Sequence, residues 1–268
     1  MHRILNIAGN EKNNDKFIEH PKADFIFITS VKSDLKLISN LLIEEEFFNI
    51  RNNIRALEIS NLSSPAQIDN YLLQTINYSK VVIVRLFGDK GTWSYGIEQL
   101  INWQEHNLKR RLLILSGTEE EELSLCELSS IKTKTAVNIS KLLRSGGLLN
   151  YRKFLKCLNF LIKKEINIPK ELTSIISYPD PYLYDWKNEK GEKVAIISYK
   201  SLFLANEIEV TEELNLKLRK NGLSPRTVFI SSLKDHLIQE KLLTIFKKEN
   251  IKIIITTTSF SSSHINNN

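Results

Sequence analysis

Short apolar runs alternate along this chain with longer stretches in which apolar residues recur every three or four positions. The runs at 3–7, 24–29 (DFIFIT), 55–60, 81–86 (VVIVRL) and 112–115 predict strands. The near-continuous apolar character of 24–29 and 81–86 predicts strands covered on both faces. A helix is expected from about Asp34, with Leu35, Ile38, Leu41 and Leu42 on one stripe. Ser64-Pro65-Ala66-Gln67 reads as a helix start, because serine caps, proline suits the first helical position and glutamine three residues on closes a capping box. Its buried face is Ile68, Tyr71, Leu72 and Ile76. After a glycine loop comes a helix carrying Ile97, Leu100, Ile101 and Leu108. Residues 8–22 read as loop and 117–145 are weakly patterned. Residues 148–164 predict a helix apolar on most sides, with a basic end that suits the helix dipole.

A second alternation begins at 192. Strands are predicted at 194–198, 227–230 and 251–256. The helices between them run over about 206–220, stopped by Asn221-Gly222, and from a cap at Asp235 through Ile238, Leu242, Ile245 and Phe246. A βαβαβ run is half of an open doubly wound sheet. Between the units, 165–191 holds Pro169, Pro179 and Pro181, but also Tyr178, Tyr182, Tyr184 and Trp186. That is too aromatic for a disordered tether, so the linker is expected to pack on one or both units. The expected fold class is α/β, with two Rossmann-like units of mostly parallel sheet, the second incomplete. The divisions are an N-terminal domain at 1–164, a linker at 165–191, the start of a second domain at 192–258 and a polar tail at 259–268. An unfinished sheet predicts an open edge, lower stability than the first unit, and a chain that is a fragment of something longer.

Composition narrows the function. Apolar residues make up 42% and charged residues 25%, enough for real cores. Lys plus Arg exceeds Asp plus Glu, 37 to 31, but the excess is spread out. The tightest basic cluster, Lys109 to Arg111, is answered by Glu119 to Glu122, and no stretch interleaves aromatics with cations. Nucleic-acid binding is therefore not expected. The runs Glu44 to Glu46 and Glu119 to Glu122 read as solvated faces. Cys126 and Cys157, the two cysteines, make neither a disulfide framework nor a zinc site, and Cys157 reads as a small core residue. His2, His20, His106, His236 and His264 lack ligand spacing, so no metal site within this chain is expected. The first residues lack a signal-peptide core, and no apolar run approaches the ~20 residues of a membrane span. The cytoplasm is the expected compartment.

Two segments offer chemistry. Arg85 lies near the carboxyl end of the strongest strand, where open α/β sheets collect ligands. Gly88 and Gly91 permit a tight turn, Ser94 starts the next helix, and Trp93 and Tyr95 add aromatic surface. Together they could grip a planar ligand bearing a carboxylate. Alternatively, Arg85 pairs with a local carboxylate while Trp93 and Tyr95 pack an interdomain face. In the second unit, Lys200 and Ser201 follow one strand, and Ser231, Ser232 and Lys234 follow the next. They could bind anionic groups; alternatively, the serines cap the helix and Lys234 is solvated. No catalytic constellation is legible.

Taken in order, several segments resemble the large subunit of cobaltochelatase, a family shared with the H subunit of magnesium chelatase. They are Ala23 to Phe27 with Ser30 and Asp34, the run VVIVRLFGDKGTWSYGIEQL, LLILSGTEEEE from Leu112, and Gly146-Gly147 leading to Asn150, Arg152 and Phe154. VAIISYKSLFLANEIEVTEEL, GLSPRTVFISSLKD and IIITTTSFS complete the set, which spans about 4–261. The resemblance is to the N-terminal part of the family and favours its cobalt branch. It implies ATP-dependent insertion of cobalt into a corrin ring during cobalamin biosynthesis. The implied partners are a tetrapyrrole like hydrogenobyrinic acid diamide and AAA-type subunits that hydrolyse the ATP. Cobalt and ATP would belong to the whole complex, with no cofactor inside this chain. No catalytic residue is carried over, and the chain alone is expected to be inactive.

Overall fold

The computed structural model describes residues 17–258. Its first sheet contains β1 (Phe25–Thr29), β2 (Ile54–Glu58), β3 (Val81–Leu86) and β4 (Arg111–Ser116), all parallel, in the order β2-β1-β3-β4. Among them run α1 (Lys32–Leu42), α2 (Phe48–Asn53), α3 (Pro65–Gln74) and α4 (Ser94–Glu105). After β4 come α5 (Glu122–Cys126), α6 (Thr133–Ser145) and α7 (Leu148–Leu161). Every residue of β1 and β3 is buried because alternate side chains enter two separate cores. Phe27, Ile83 and Leu113 meet α1, α6 and α7 on one face, while Ile26, Val82 and Ile114 meet α3 and α4 on the other. Each fully buried Ile, Val or Leu here contributes roughly 1.5–3 kcal/mol before entropy is subtracted. The capping box of Ser64 and Gln67 forms as expected at the start of α3.

After α7, the short α8 (Lys170–Thr173) packs back on α6 and α7, and the second unit holds β5 (Tyr182–Tyr184), β6 (Lys193–Tyr199), α9 (Lys200–Leu204), α10 (Glu209–Lys220), β7 (Ser224–Ile230), α11 (His236–Glu249) and β8 (Ile253–Thr256). The sheet order is β5-β7-β6-β8, with β5 antiparallel to β7 and the other pairs parallel. Asp235 accepts from the amides of Leu237 and Ile238 to cap α11, and Gly222 takes a φ of 77° after α10. The expected α/β class with mostly parallel Rossmann-like sheets holds.

Several local expectations need correction. The stretch 165–191 is not all linker, since β5 joins the second sheet and gives it a fourth strand. Its cause is aromatic packing: Tyr182 and Tyr184 stack against Phe203, and Tyr184 also meets Phe229. The weakly patterned 117–145 holds α5 and α6. The stripe of α6 runs through Ala136, Ile139, Ser140 and Leu143, where a small and a polar member dilute the apolar period. Leu37, not Leu35, is the buried neighbour on α1. Leu108 is exposed because α4 ends at Glu105, and Trp103 takes the core position instead. Glu122 is not solvated but buried, held by Arg144 at 3.3 Å. Glu44 and Glu46 both pair with Arg152. The strand expected at 3–7 and the tail at 259–268 lie outside the described residues.

The two units meet where α6 turns into α7. Gly146 and Gly147 take φ values of 66° and 78°, and Gly147 N–H donates to the Leu204 carbonyl at 2.8 Å. A Cβ on Gly147 would lie 2.7 Å from the Tyr178 ring, so the close approach itself demands glycine. The Asn150 amide donates to the Gly146 and Ile176 carbonyls and accepts from Ile176 N–H. Lys36 on α1 reaches Glu209 on α10 at 2.9 Å.

Candidate functional site

The order β2-β1-β3 places a topological switch point between β1 and β3, where open α/β sheets bind ligands beyond the carboxyl ends. Thr29 and Arg85 are register partners at that point. Arg85 does not face outward. It is buried and forms an ion pair with Asp34 of α1, which has no exposed surface. Arg85 also donates to the Tyr151 hydroxyl at 3.0 Å, Tyr151 donates to Asp34, and Thr29 donates to Asp34 at 2.7 Å. Burial pushes the Asp34 carboxyl above its ordinary range, outweighing the pull of Arg85, Tyr151 and Thr29 in the opposite direction. Burial likewise raises the Tyr151 phenol well above its usual value, helped by the adjacent Asp34 charge. Three donors converge on Asp34, and its complete burial gives an outside group no approach to the acceptor capacity that is left. The cluster therefore plugs the switch point and ties β3 to α1 and α7.

The sequence offered pairing of Arg85 with a carboxylate and named Asp34 as a helix start without joining the two, and Tyr151 was not singled out, though a signal was there. Asp34 shares one helical face with Leu37, Ile38 and Leu41, and Tyr151 shares another with Phe154, Leu155 and Leu158. A carboxylate on an apolar stripe and a cation in an otherwise apolar strand each need a partner, so each points to the other.

Of the other first-unit candidates, Gly91 and Ser94 share a cavity of about 380 Å³ with Lys90 and Ile97, whereas Gly88, Trp93 and Tyr95 do not line it. Gly88 adopts a φ of 116°, and Thr92 Oγ1 sits 2.6 Å from where its Cβ would be. Trp93 is buried in the core, with Nε1 donating to the Leu62 carbonyl at 3.0 Å. The Tyr95 hydroxyl donates to the Asp69 carboxylate at 2.9 Å. Both aromatics thus pack within the first unit, against the segment around α3, rather than on an interdomain face.

In the second unit the order β7-β6-β8 repeats the same arrangement, with its switch point between β6 and β8. Here the polar atoms are hydroxyls. Buried Ser198 lies 2.6 Å from the Thr257 hydroxyl and 3.4 Å from that of Thr211. Lys200 donates to the Tyr178 carbonyl at 2.7 Å, which anchors α9 to the preceding segment. Ser232 Oγ accepts from Lys234 N–H at 3.1 Å, a local turn bond, and Ser231 N–H reaches Asp180. Among the described residues no group of three or more His, Cys, Asp or Glu is placed to hold a metal. Nor is any helix among them long and apolar enough to cross a membrane.

Two doubly wound units, each with its switch point filled by its own side chains, define an α/β protein without an assembled catalytic constellation among the described residues. Residues 140–268 match the model of the CobN/Magnesium Chelatase family. The likeness also extends ahead of that region. The chain is 22% identical over 255 residues to aerobic cobaltochelatase subunit CobN of Pseudomonas aeruginosa, covering 90% of this chain and 20% of that protein. It is 23% identical to the CobN of a Sinorhizobium species, over 98% of this chain and 22% of the relative. The solved catalytic subunit of cobaltochelatase from Mycobacterium tuberculosis shares the fold, with a TM-score of 0.59 at 20% identity over 83% of this chain and 17% of its own. The chain thus spans about a fifth of the curated relatives it matches.

Proposed function

We propose that this chain works within a cobaltochelatase-type system that inserts cobalt into a corrin-type tetrapyrrole in cobalamin biosynthesis, with ATP hydrolysed on separate AAA-type subunits. The observation that carries this reading is the similarity to CobN along both α/β units. On this reading the units supply binding surface, and metal insertion needs parts of the machine that these residues do not provide. A tetrapyrrole would approach the carboxyl edges, where Gly88, Lys200, Ser232 and Lys234 lie, while Arg85, Trp93 and Tyr95 shape that edge from within. The test is titration of the purified chain with hydrogenobyrinic acid diamide and, separately, with a porphyrin, following their absorption bands. A saturable spectral change with the corrinoid supports the cobalt branch, and one with the porphyrin alone favours a magnesium-chelatase-type role. A flat response to both, from a chain whose circular dichroism shows it folded, removes ligand binding.

A second reading is a docking module for chelatase partners. It is favoured by β8, which among the described residues pairs on one side only and leaves Ile253 and Ile254 44% and 56% exposed. Retention of the ATP-hydrolysing subunits on immobilised chain supports it, and their passage through the column counts against it.

A further inference from the structure

The basic cluster at Lys109 to Arg111 resolves into two different uses. Arg110 is spent inside the first unit: it donates to the Trp103 and Asn77 carbonyls and lies 4.8 Å from the Trp103 ring centre. Arg111 opens β4 and donates to the Leu108 carbonyl at 2.7 Å, which fixes its head but leaves its charge unneutralised. A cavity of about 550 Å³ lies beside it, at the amino edge of the sheet and so at the opposite end from the switch point. Lys132 and Lys164 also line this cavity, against one carboxylate, Glu165. Among the described residues none of the three cations has a carboxylate within ion-pair distance. Elsewhere Arg85, Arg144, Arg152, Arg219 and Arg226 each face a carboxylate, while Arg55 and Arg110 are held by backbone carbonyls and Arg51 lies over the Phe48 ring; what sets this cavity apart is that three cations without a carboxylate partner share one lining.

From these observations we infer that the cavity between the start of β4, the segment before α6 and the segment after α7 is a binding site for a compact phosphate-bearing anion. Three like charges drawn to one concave surface repel each other, and the field they sum is strongest inside the concavity. A phosphate group relieves that repulsion and offers several acceptor oxygens, with Ser130 and Thr135 as hydroxyls in the lining. The fixed guanidinium suits a two-oxygen contact, and the two flexible lysines suit point-charge contacts around it. A volume of this size accommodates a small metabolite or a nucleotide. The inference does not depend on the chelatase reading, because it concerns the edge of the sheet remote from the tetrapyrrole approach.

The test uses inorganic pyrophosphate as probe, followed by titration calorimetry at low ionic strength on the whole chain. Lys132→Ala/Lys164→Ala removes two of the charges from side chains that make no hydrogen bond or ion pair among the described residues. Lys220→Ala/Lys247→Ala, on α10 and α11, is the matched control for net charge. The expected result is saturable binding by the wild type and the control, and a loss of roughly tenfold or more in the cavity double variant. Citrate as a competitor separates the phosphate class from general polyanions, and weaker binding of citrate is expected. Equal affinity in all three proteins, an equal loss in both variants, tighter citrate binding or the absence of saturable heat would each overturn the inference.

Discussion

The two units share one strand order, β2-β1-β3 in the first and β7-β6-β8 in the second, but they close the switch point with different chemistry. The first uses a buried ion pair with two hydroxyl donors, Arg85, Asp34, Tyr151 and Thr29. The second uses neutral hydroxyls of Ser198, Thr211 and Thr257. Their cores differ as well. In the first unit the sheet is sandwiched between two extensive clusters, whereas the second unit has one smaller cluster, centred on Ala195, Val228, Ile238 and Leu242. Topology alone therefore does not set what a crevice can do. A charged plug is held only where thick apolar layers on both sides fix its geometry, and a thinner unit makes do with groups that cost less to bury.

The largest contrast should lie in local opening. Hydrogen exchange should show β8 amides exchanging far faster than those of β3, and limited proteolysis should leave a resistant core ending near residue 165. Equal resistance of both units would break the comparison. Next in size are Arg85→Ala and Asp34→Ala, each expected to cost about 3–5 kcal/mol in urea denaturation because each strands a buried charge. The paired replacement Arg85→Met/Asp34→Leu should cost less than either single change, since it leaves no unpaired charge behind. Tyr151→Phe should cost about 1 kcal/mol, the scale of one hydrogen bond.

Gly147→Ala sharpens the comparison at the joint between the units. A positive φ and the adjacent Tyr178 ring both oppose a side chain there, so a cost of about 1–3 kcal/mol is expected. The loss should appear as separation of the two unfolding transitions in a calorimetric scan. Ser198→Ala should cost about 1 kcal/mol, less than either charged substitution in the first unit.

The smallest effect concerns pH. Lys193 holds the Glu249 carboxyl below its ordinary range, assisted by Arg226. The stabilisation this brings is present above the ordinary carboxylate pKa and is lost as pH falls through the lowered folded value. Acid titration followed by circular dichroism should therefore show Glu249→Gln with a flatter acid limb than the wild type.

Much of the architecture was legible in the sequence. The runs DFIFIT and VVIVRL announced strands covered on both faces, and the cap at Ser64 fixed a helix start to the residue. What escaped had physical causes. The antiparallel strand β5 is three residues long, and its pairing depends on rings of α9 and β7 that no local pattern reveals. Helix α6 hid behind Ser140 in its buried face. At the site, pairing of Arg85 with a carboxylate was one of the two readings, but which carboxylate was not legible, because Asp34 lies 51 positions away. The positions of Trp93 and Tyr95 against the Leu62 carbonyl and Asp69 are likewise contacts between distant stretches that spacing does not encode.

The shortness of β5 has a consequence for crowding in solution. One margin of the second sheet is blunted by a strand of three residues that follows Pro181, whereas the opposite margin offers the bare isoleucines of β8. Molecules that met through their β8 margins would join about a two-fold axis and stop at a pair, since the blunted side gives a third molecule little to grip. Accretion into an endless ribbon needs two receptive margins, and among the described residues this sheet presents one.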